Sequence, residues 1–261
     1  MTGTRRPAVA GRFYPRSPAT LAATVDRLLD AVEVPDGEPL APAYVVPHAG
    51  YVFSGPTAAH VYARLRRHAE RVERVVLIGP AHFVPLTGCA VPASQAWATP
   101  LGELPVADLT AVAAHVSVDD APHVPEHSLE VQLPFLQRAL GRPVPILPIA
   151  VGRTPPEAVA AALAAAVAAG TVVLCSTDLS HYLDQAAAMD RDARTASAVE
   201  ALAPDRIGVR DACGVFALRG LLSWARTGAL RPELLCLATS ADTAGDPSRV
   251  VGYGAFAIHT S

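Results

Sequence analysis

Apolar runs of four to ten residues alternate along the chain with segments whose apolar residues recur every three or four positions. The runs predict buried strands, and the periodic segments predict amphipathic helices. The predicted strands are 43–46, 74–78, 144–151, 171–176, 234–239 and 250–259. The predicted helices are one from Pro18 and others at 56–67, 106–116, 127–140, 155–169, 186–202 and 212–227. This alternation predicts an α/β fold: one domain over residues 1–261, with a mainly parallel central sheet, some antiparallel additions and flanking helices.

Proline and glycine modify this pattern in two places. Residues 84–105 are rich in both and contain only short apolar pieces, which favours a β-hairpin or an irregular flap. Pro134 lies inside the helix predicted over 127–140 and should kink it, because proline lacks the backbone donor and clashes with the preceding turn.

Polar side chains follow three of the predicted strands. His48 comes directly after the first, in the segment Pro-His-Ala-Gly-Tyr at 47–51, and His82 follows the second in Gly-Pro-Ala-His. The strand over 171–176 leads into Asp178 and His181. Because the carboxyl ends of parallel strands face one crevice, these groups can converge there despite their wide sequence separation. A single histidine at a strand end is commonly structural, but three such ends indicate a shared pocket.

Composition narrows the class of protein. Hydrophobic residues make up 51% of the 261 residues and charged residues 17%, which indicates a large buried core. The net charge is −3 and no basic patch is interleaved with aromatic residues, so we expect no nucleic-acid partner. No apolar run approaches the roughly 18 residues of a membrane span, and the first residues do not resemble a signal peptide. We therefore expect a cytoplasmic protein that does not enter a membrane.

Two motifs leave alternatives open. Residues 123–127 read His-Val-Pro-Glu-His, which matches an inverted zinc-peptidase signature. That chemistry needs both histidines on one helix face, and Pro125 opposes such a helix. The same segment can instead begin a helix at the rim of a pocket, where His127 would still contact a ligand.

Four cysteines lie far apart without a Cys-x-x-Cys pair, and a large core does not need disulfides, so none is expected. Cys213 lies at the start of the helix predicted over 212–227, where the positive end of the helix dipole lowers the pKa of a thiol. It is therefore a candidate third metal ligand beside the two histidines. Spacing alone favours the other reading, in which Cys213 is a small buried residue.

Taken in order, five motifs resemble the Memo family, whose bacterial members are called AmmeMemoRadiSam system protein B. They are Pro-His-Ala-Gly-Tyr at 47–51, Gly-Pro-Ala-His at 79–82, Glu-His-Ser-Leu-Glu at 126–130, Ser-Thr-Asp-Leu-Ser-His at 176–181 and Cys-Gly at 213–214. The resemblance extends from about Arg5 to His259. The family is similar in fold to class III, LigB-type extradiol dioxygenases.

The resemblance implies roles for individual residues. His48 and His82 would be the two histidine ligands of a metal, and Cys213 would take the place of the glutamate found in those dioxygenases. His181 matches their acid/base histidine, with Asp178 beside it to orient it, and His127 matches a motif that lines the pocket. A thiolate favours copper or zinc more than an oxygen ligand does, and it is oxidisable beside activated dioxygen. Ring cleavage therefore does not follow from the fold.

Three functional hypotheses remain. The first is a metal-dependent oxidoreductase that uses O2 and a small-molecule substrate, with Fe(II) as the expected cofactor and copper or zinc as alternatives. The second is a binding module without turnover that holds a metal, peptide or ligand and works with a radical-SAM protein, a partner that the family name implies. The third is a zinc hydrolase in which His181 is the general base.

Overall fold

The computed structural model describes residues 3–260, and between them the chain alternates strands and helices. The strands are β1 (Thr4–Arg5), β2 (Ala43–Val46), β3 (Arg74–Pro80), β4 (Cys89–Val91), β5 (Ala96–Thr99), β6 (Gly102–Pro105), β7 (Ser117–Val118), β8 (Ile146–Val151), β9 (Thr171–Ser176), β10 (His181–Leu183), β11 (Arg231–Thr239) and β12 (Val250–His259). The helices are α1 (Pro18–Asp30), α2 (Tyr51–Arg67), α3 (Leu133–Leu140), α4 (Pro156–Ala166), α5 (Gln185–Glu200) and α6 (Val215–Thr227).

Nine strands form one central sheet in the order β10-β12-β2-β9-β3-β8-β4-β7, with β11 paired to β12. The four middle strands, β2, β9, β3 and β8, are mutually parallel. Antiparallel strands extend the sheet on both sides, β12 next to β2 and β4 next to β8. The predicted α/β class with antiparallel additions is therefore confirmed, and the whole sheet is mixed.

Helices cover both faces of the sheet. Successive residues of a strand point to opposite faces, so each strand contributes side chains to two cores. In β2, Tyr44 and Val46 pack in the core that includes residues of α1, α2 and α3. Ala43 and Val45 pack in the second core, with residues of α4, α5 and α6. All four residues of β2 are buried, which explains why the strand reads as a continuous apolar run.

Two helix predictions are wrong. Residues 106–116 contain only a short 3₁₀ turn at Thr110–Val112, since Val112 is its one buried residue and no apolar stripe is formed. Pro134 does not kink a helix: a 3₁₀ turn at Glu130–Gln132 comes first, and Pro134 then lies in the first turn of α3, where its missing donor costs nothing. Conversely, α2 begins at Tyr51, five residues before the predicted start at Pro56.

A small sheet of β1, β5 and β6 lies outside the central one, and the predicted hairpin over 84–105 is present as the antiparallel pair β5–β6. The N-terminal segment is tied down by the fully buried carboxylate of Glu130. This carboxylate accepts hydrogen bonds from Arg5 Nη1 at 2.8 Å and Tyr14 OH at 2.7 Å, and also from the backbone N–H groups of Ala8 and Val9. These contacts hold the segment at 126–130 in place.

Within residues 3–260, no helix is both long and apolar enough to cross a membrane.

Candidate metal centre

The three predicted strand ends are neighbours in the structure. The strand order β2-β9-β3 places β9 between the other two. Each strand is followed two residues later by a polar side chain: His48 after β2, Asp178 after β9 and His82 after β3. The rings of His48 and His82 lie edge to face with their centroids 5.2 Å apart. The expected convergence at one edge of the sheet is therefore present.

The hydrogen bonds of Ser176 determine the tautomer of His48. Ser176 Oγ donates to the carbonyl oxygen of Ser128 at 2.6 Å and accepts from Gln132 Nε2 at 2.8 Å. Its one proton is thus used, so its contact of 2.9 Å with His48 Nδ1 requires the proton to be on the histidine. Nε2 of His48 then carries the lone pair and is available as a ligand. The His48 side chain is buried, and this burial lowers its pKa well below the usual value, which keeps the ring neutral.

His82 is oriented by Glu126. The Glu126 carboxylate accepts from His82 Nδ1 at 2.9 Å and from the backbone N–H groups of His82, His127 and Ser128. Burial alone would raise the pKa of Glu126, but the bonds from His82 and Ser128 lower it to about 2. A carboxylate acceptor fixes the proton of His82 on Nδ1 and leaves Nε2 for a metal, an arrangement common behind metal-binding histidines.

Cys213, which is 165 positions from His48 in the sequence, lies beside it in the structure. Its Sγ lies 3.2 Å from His48 Nε2, and the backbone N–H of Asp178 donates to it at 3.3 Å. Its own backbone N–H donates to the Asp178 carbonyl, and the next N–H, of Gly214, donates to Thr177 Oγ1. The start of α6 is therefore bonded to the end of β9, and this holds the thiol beside His48.

The donor set fits a metal ion. One ligand atom each from His48, His82 and Cys213 lie within 4.8 Å of one another. Two imidazoles, whose Nδ1 atoms contact Ser176 and Glu126, together with a thiol are suited to Zn²⁺, Cu⁺ or Fe²⁺. A second group, His82, Glu126 and His127, also meets this distance limit. Because Glu126 already accepts the Nδ1 proton of His82, we interpret that group as support for the first.

The thiol differs from the sequence prediction in one respect. We expected the helix start to lower the pKa of Cys213, but burial and the neighbouring Asp178 carboxylate raise it. The helix begins two residues later, at Val215, so the dipole does not by itself produce a thiolate. Metal ligation requires the deprotonated thiol, and binding would therefore release a proton.

Asp178 and His181 do not form the predicted pair. The Asp178 carboxylate accepts from the backbone N–H of His48 at 2.7 Å, so it holds the turn that carries this histidine. His181 Nδ1 lies 2.8 Å from the carbonyl oxygen of Leu179, which can only accept. That bond places the His181 proton on Nδ1 and leaves Nε2 as a proton acceptor. Leu179, rather than Asp178, orients His181. Burial raises the pKa of Asp178 to about 6.

His127 forms one wall of the site. Its ring stacks on His82 at 4.8 Å between centroids, stands perpendicular to His48 at 5.4 Å and contacts Phe13 at 4.6 Å. Burial lowers its pKa to about 4, so the ring is neutral at pH 7. The pocket-lining position expected of His127 is therefore present.

The other histidine of the peptidase-like motif lies elsewhere. His123 is buried against Trp97, and its Nε2 contacts the carbonyl oxygen of Ala90. Residues 123–127 form turns and no helix, so the geometry of a zinc peptidase is absent from this segment.

A pocket of about 660 Å³ opens above the candidate ligands His48 and His82. His48, His82, His127, Asp178 and His181 all line it. The remaining wall is partly aromatic and partly contributed by the loop before β12, and its residues are Phe13, Ala49, Gly50, Phe53, Tyr182, Ser240, Ala244, Gly245, Asp246, Arg249, Val251 and Tyr253.

Fold and site together define an α/β protein with a candidate two-histidine, one-cysteine metal centre at the carboxyl ends of parallel strands. The chain matches the family model described as Memo-like protein over residues 5–257. A MEMO1 family protein of Methanosarcina acetivorans is 36% identical over 276 residues, covering 97% of this chain and 98% of that protein. Those of Methanopyrus kandleri and Sulfolobus acidocaldarius are 36% and 34% identical, each over at least 95% of both chains. The chain belongs to the Memo family.

Sequence reasoning did not assign roles to several residues that shape the site. The role of Glu126 could have been suspected, since this carboxylate stands next to His127 in the motif at 126–130. Ser176 was equally part of a motif, but its role depends on Gln132, which lies 44 residues away. Tyr182 directly follows His181 in the sequence, but Arg249 gave no signal, because only the folded chain brings it to the same pocket.

Proposed function

We propose that this protein is a metal-dependent oxidoreductase that acts on a small molecule together with O2, with Fe(II) as the first candidate metal and copper as the second. The observation that supports this proposal most strongly is the arrangement of possible metal ligands at the base of the pocket. There, hydrogen bonds engage Nδ1 of both His48 and His82, so that Nε2 of each is the atom left to bind a metal, and the thiol of Cys213 lies beside His48 Nε2. Such a centre, when it holds iron or copper, supplies electron transfer with O2.

The residues of the chain supply binding and proton transfer. His48, His82 and Cys213 hold the metal, and Asp178 fixes the backbone of His48. His181 is the proton acceptor in this proposal, because Leu179 holds its Nδ1 proton and leaves Nε2 as the basic atom. His127, which is neutral, stacks on His82 and contacts Phe13, and it shapes the wall against which a substrate packs.

The form of the pocket favours an enzyme over a binding module without turnover. A pocket filled by side chains such as Tyr51 or Phe83 would favour the binding module, and neither of these side chains lines it. Tyr51 is buried in the core and donates its hydroxyl proton to the Val131 carbonyl, and Phe83 is 59% exposed to solvent. The cavity thus keeps room for a substrate.

Metal titration and oxygen uptake test the proposal. Protein purified without a chelating tag is titrated anaerobically with Fe(II), Cu(I) and Zn(II), and oxygen consumption is then followed with catechol-like and other small substrates. We expect about one metal per chain and substrate-dependent oxygen uptake with iron or copper. Cys213→Ser should weaken metal binding at least 10-fold, while Cys236→Ser, a half-buried cysteine on β11, should leave it unchanged.

Three outcomes would contradict the proposal. Unchanged metal binding in Cys213→Ser would overturn the metal centre. Tight binding without oxygen uptake in any metal form would favour the binding module. A protein that retains only zinc and hydrolyses its substrate would favour the zinc hydrolase.

A further inference from the structure

Tyr182 is held in an unusual position at the pocket. Its φ is 62°, in the left-handed region that bulky L-residues rarely adopt, and it follows His181 directly. The side chain is 64% exposed, so burial in the core does not explain the conformation. Strained residues of this kind are found preferentially at functional sites. The ring lines the same pocket as His181.

The Tyr182 ring contacts the guanidinium of Arg249 as well as the ring of His181. The guanidinium carbon of Arg249 lies 4.4 Å from the ring centroid, a cation–π contact, and both residues line the pocket. The chain contains no lysine, and among the described residues that line this pocket Arg249 is the one arginine. Between residues 3 and 260 no carboxylate forms an ion pair with it.

Two carboxylates line the same pocket, and both are committed to backbone groups. Asp178 accepts from the N–H of His48. Asp246 accepts from the N–H of Ser248 and, through its carbonyl, from the N–H of Arg249. Among the described residues, the guanidinium is thus a cationic group of the pocket that no carboxylate neutralises. A guanidinium presents paired N–H donors that match the oxygens of a carboxylate or phosphate.

We propose that Arg249 binds an oxyanion group of the substrate, a carboxylate or a phosphate, and that Tyr182 positions Arg249 for this contact. The aromatic side chains of Phe13 and Phe53 on the pocket wall favour an apolar body on the same molecule. The substrate class is therefore a small apolar molecule with one anionic group. This inference rests on the proposed function only in placing the substrate in this pocket.

Fluorine NMR on the full chain, stripped of metal with a chelator, tests the proposal without turnover. The probes are 4-fluorobenzoate and its neutral counterpart 4-fluorobenzamide. We expect benzoate to bind at least 10-fold more tightly than the amide. Arg249→Gln should abolish this charge selectivity, and Arg249→Lys should retain part of it. Arg226→Gln, an exposed arginine on α6, should leave it unchanged.

The positioning role of Tyr182 has its own readout. Tyr182→Phe keeps the ring and should keep the selectivity, whereas Tyr182→Ala should lower it at least 3-fold. Displacement of 4-fluorobenzoate by acetate or by inorganic phosphate shows which oxyanion the site prefers.

Equal binding of the two probes to the unaltered chain, or full selectivity in Arg249→Gln, would overturn the proposal. Full selectivity in Tyr182→Ala would overturn the role of Tyr182. Because no metal or oxygen is present, each of these results leaves the proposed oxidoreductase function as it stands. Unchanged metal binding in Cys213→Ser, which would overturn the metal centre, leaves the anion site as it stands.

Discussion

At the scale of single residues, Ser176 has the greatest influence on what His48 can do. It is fully buried and joins three groups: the His48 ring, the Gln132 amide and the Ser128 carbonyl. The direction of these bonds selects Nε2 of His48 as the free nitrogen. The Ser176 hydroxyl, which is hydrogen-bonded to the candidate ligand His48, thus decides which nitrogen of the ring carries the proton. Groups that hydrogen-bond to metal ligands have this effect in many metal sites.

Ser176→Ala tests this role. The change leaves the N–H of His48 Nδ1 buried without an acceptor, so we expect the free energy of unfolding to fall by about 1–3 kcal/mol. We also expect metal affinity to fall about 10- to 100-fold, because the ring loses its orientation and its fixed tautomer. Urea denaturation and metal titration measure the two effects.

Ser223→Ala is the matched control, since Ser223 is a buried serine further along α6. It should leave metal affinity unchanged. Full metal affinity in Ser176→Ala would show that Ser176 does not select the nitrogen.

For single residues, the sequence predicted the positions of the site residues better than their roles and partners. Cys213 became a leading ligand only through the family resemblance, because spacing alone favoured a small core residue. Its contact with His48 spans 165 positions, and no local pattern reports such a distance. Asp178 was placed at the correct strand end, but its partner was wrong, since the direction of a carboxylate depends on packing.

At the scale of elements, the site is assembled around the end of β9. The residues that follow β9 are hydrogen-bonded both to the turn after β2 and to the start of α6. The backbone after β9 lies against the start of α6, and the approach requires glycine at 214. A Cβ there would lie 2.9 Å from Cβ and Oγ1 of Thr177 and 3.0 Å from the Ser176 carbonyl oxygen. The backbone atom cannot move aside as a flexible side chain can. The close approach therefore sets the position of Cys213.

Gly214→Ala should displace α6 from the end of β9. We expect the free energy of unfolding to fall by about 1–3 kcal/mol and metal affinity to fall with it, because Cys213 moves away from His48. Thermal or urea unfolding and metal titration are the measurements. Gly228→Ala, at the other end of α6, is the control: the nearest atom to its Cβ would be 3.5 Å away, so stability should change by no more than about 0.5 kcal/mol. A Gly214→Ala protein with unchanged affinity would contradict the account.

The predictions of helices were wrong where the surrounding tertiary structure outweighed the helix pattern of the local sequence. The apolar residues at 106–116 suggested a helix, yet Val106 pairs with Ile146 beside the sheet and Val112 is the one buried residue of the turn. Pro134 suggested a kink, but proline is equally favourable in a first helical turn, and the sequence alone does not show where that turn falls.

At the scale of the whole molecule, acid should destabilise the protein through its buried histidines. His123 has its pKa lowered by burial to about 4 and remains neutral when folded. In the unfolded chain its pKa returns to about 6.5. The unfolded state therefore binds more protons between these values, and the stabilising contribution, complete above pH 6.5, is lost as the pH falls toward 4. His127 behaves in the same way.

His123→Gln tests this account. For the unaltered, metal-stripped chain the share due to His123 amounts to about 1.4 kcal/mol per pH unit within that window. We expect the slope of unfolding free energy against pH to become shallower by about this amount in His123→Gln. His115→Gln, an exposed histidine, should leave the slope unchanged. Urea denaturation at pH 6, 5.5 and 5 gives the slopes within this window. Identical slopes in His123→Gln and the unaltered chain would show that His123 does not bind a proton on unfolding.

The strands, the turns after them and the histidines at their ends could be predicted from the sequence, because apolar runs and proline or glycine breaks act on neighbouring residues. Which strand ends meet, which nitrogen of each histidine is free and which arginine faces the pocket depended on the folded chain. His48 meets Asp178 across 130 positions and Cys213 across 165. Contacts of that span come from the order of strands in the sheet and the packing of α6 against it, and no local pattern encodes either.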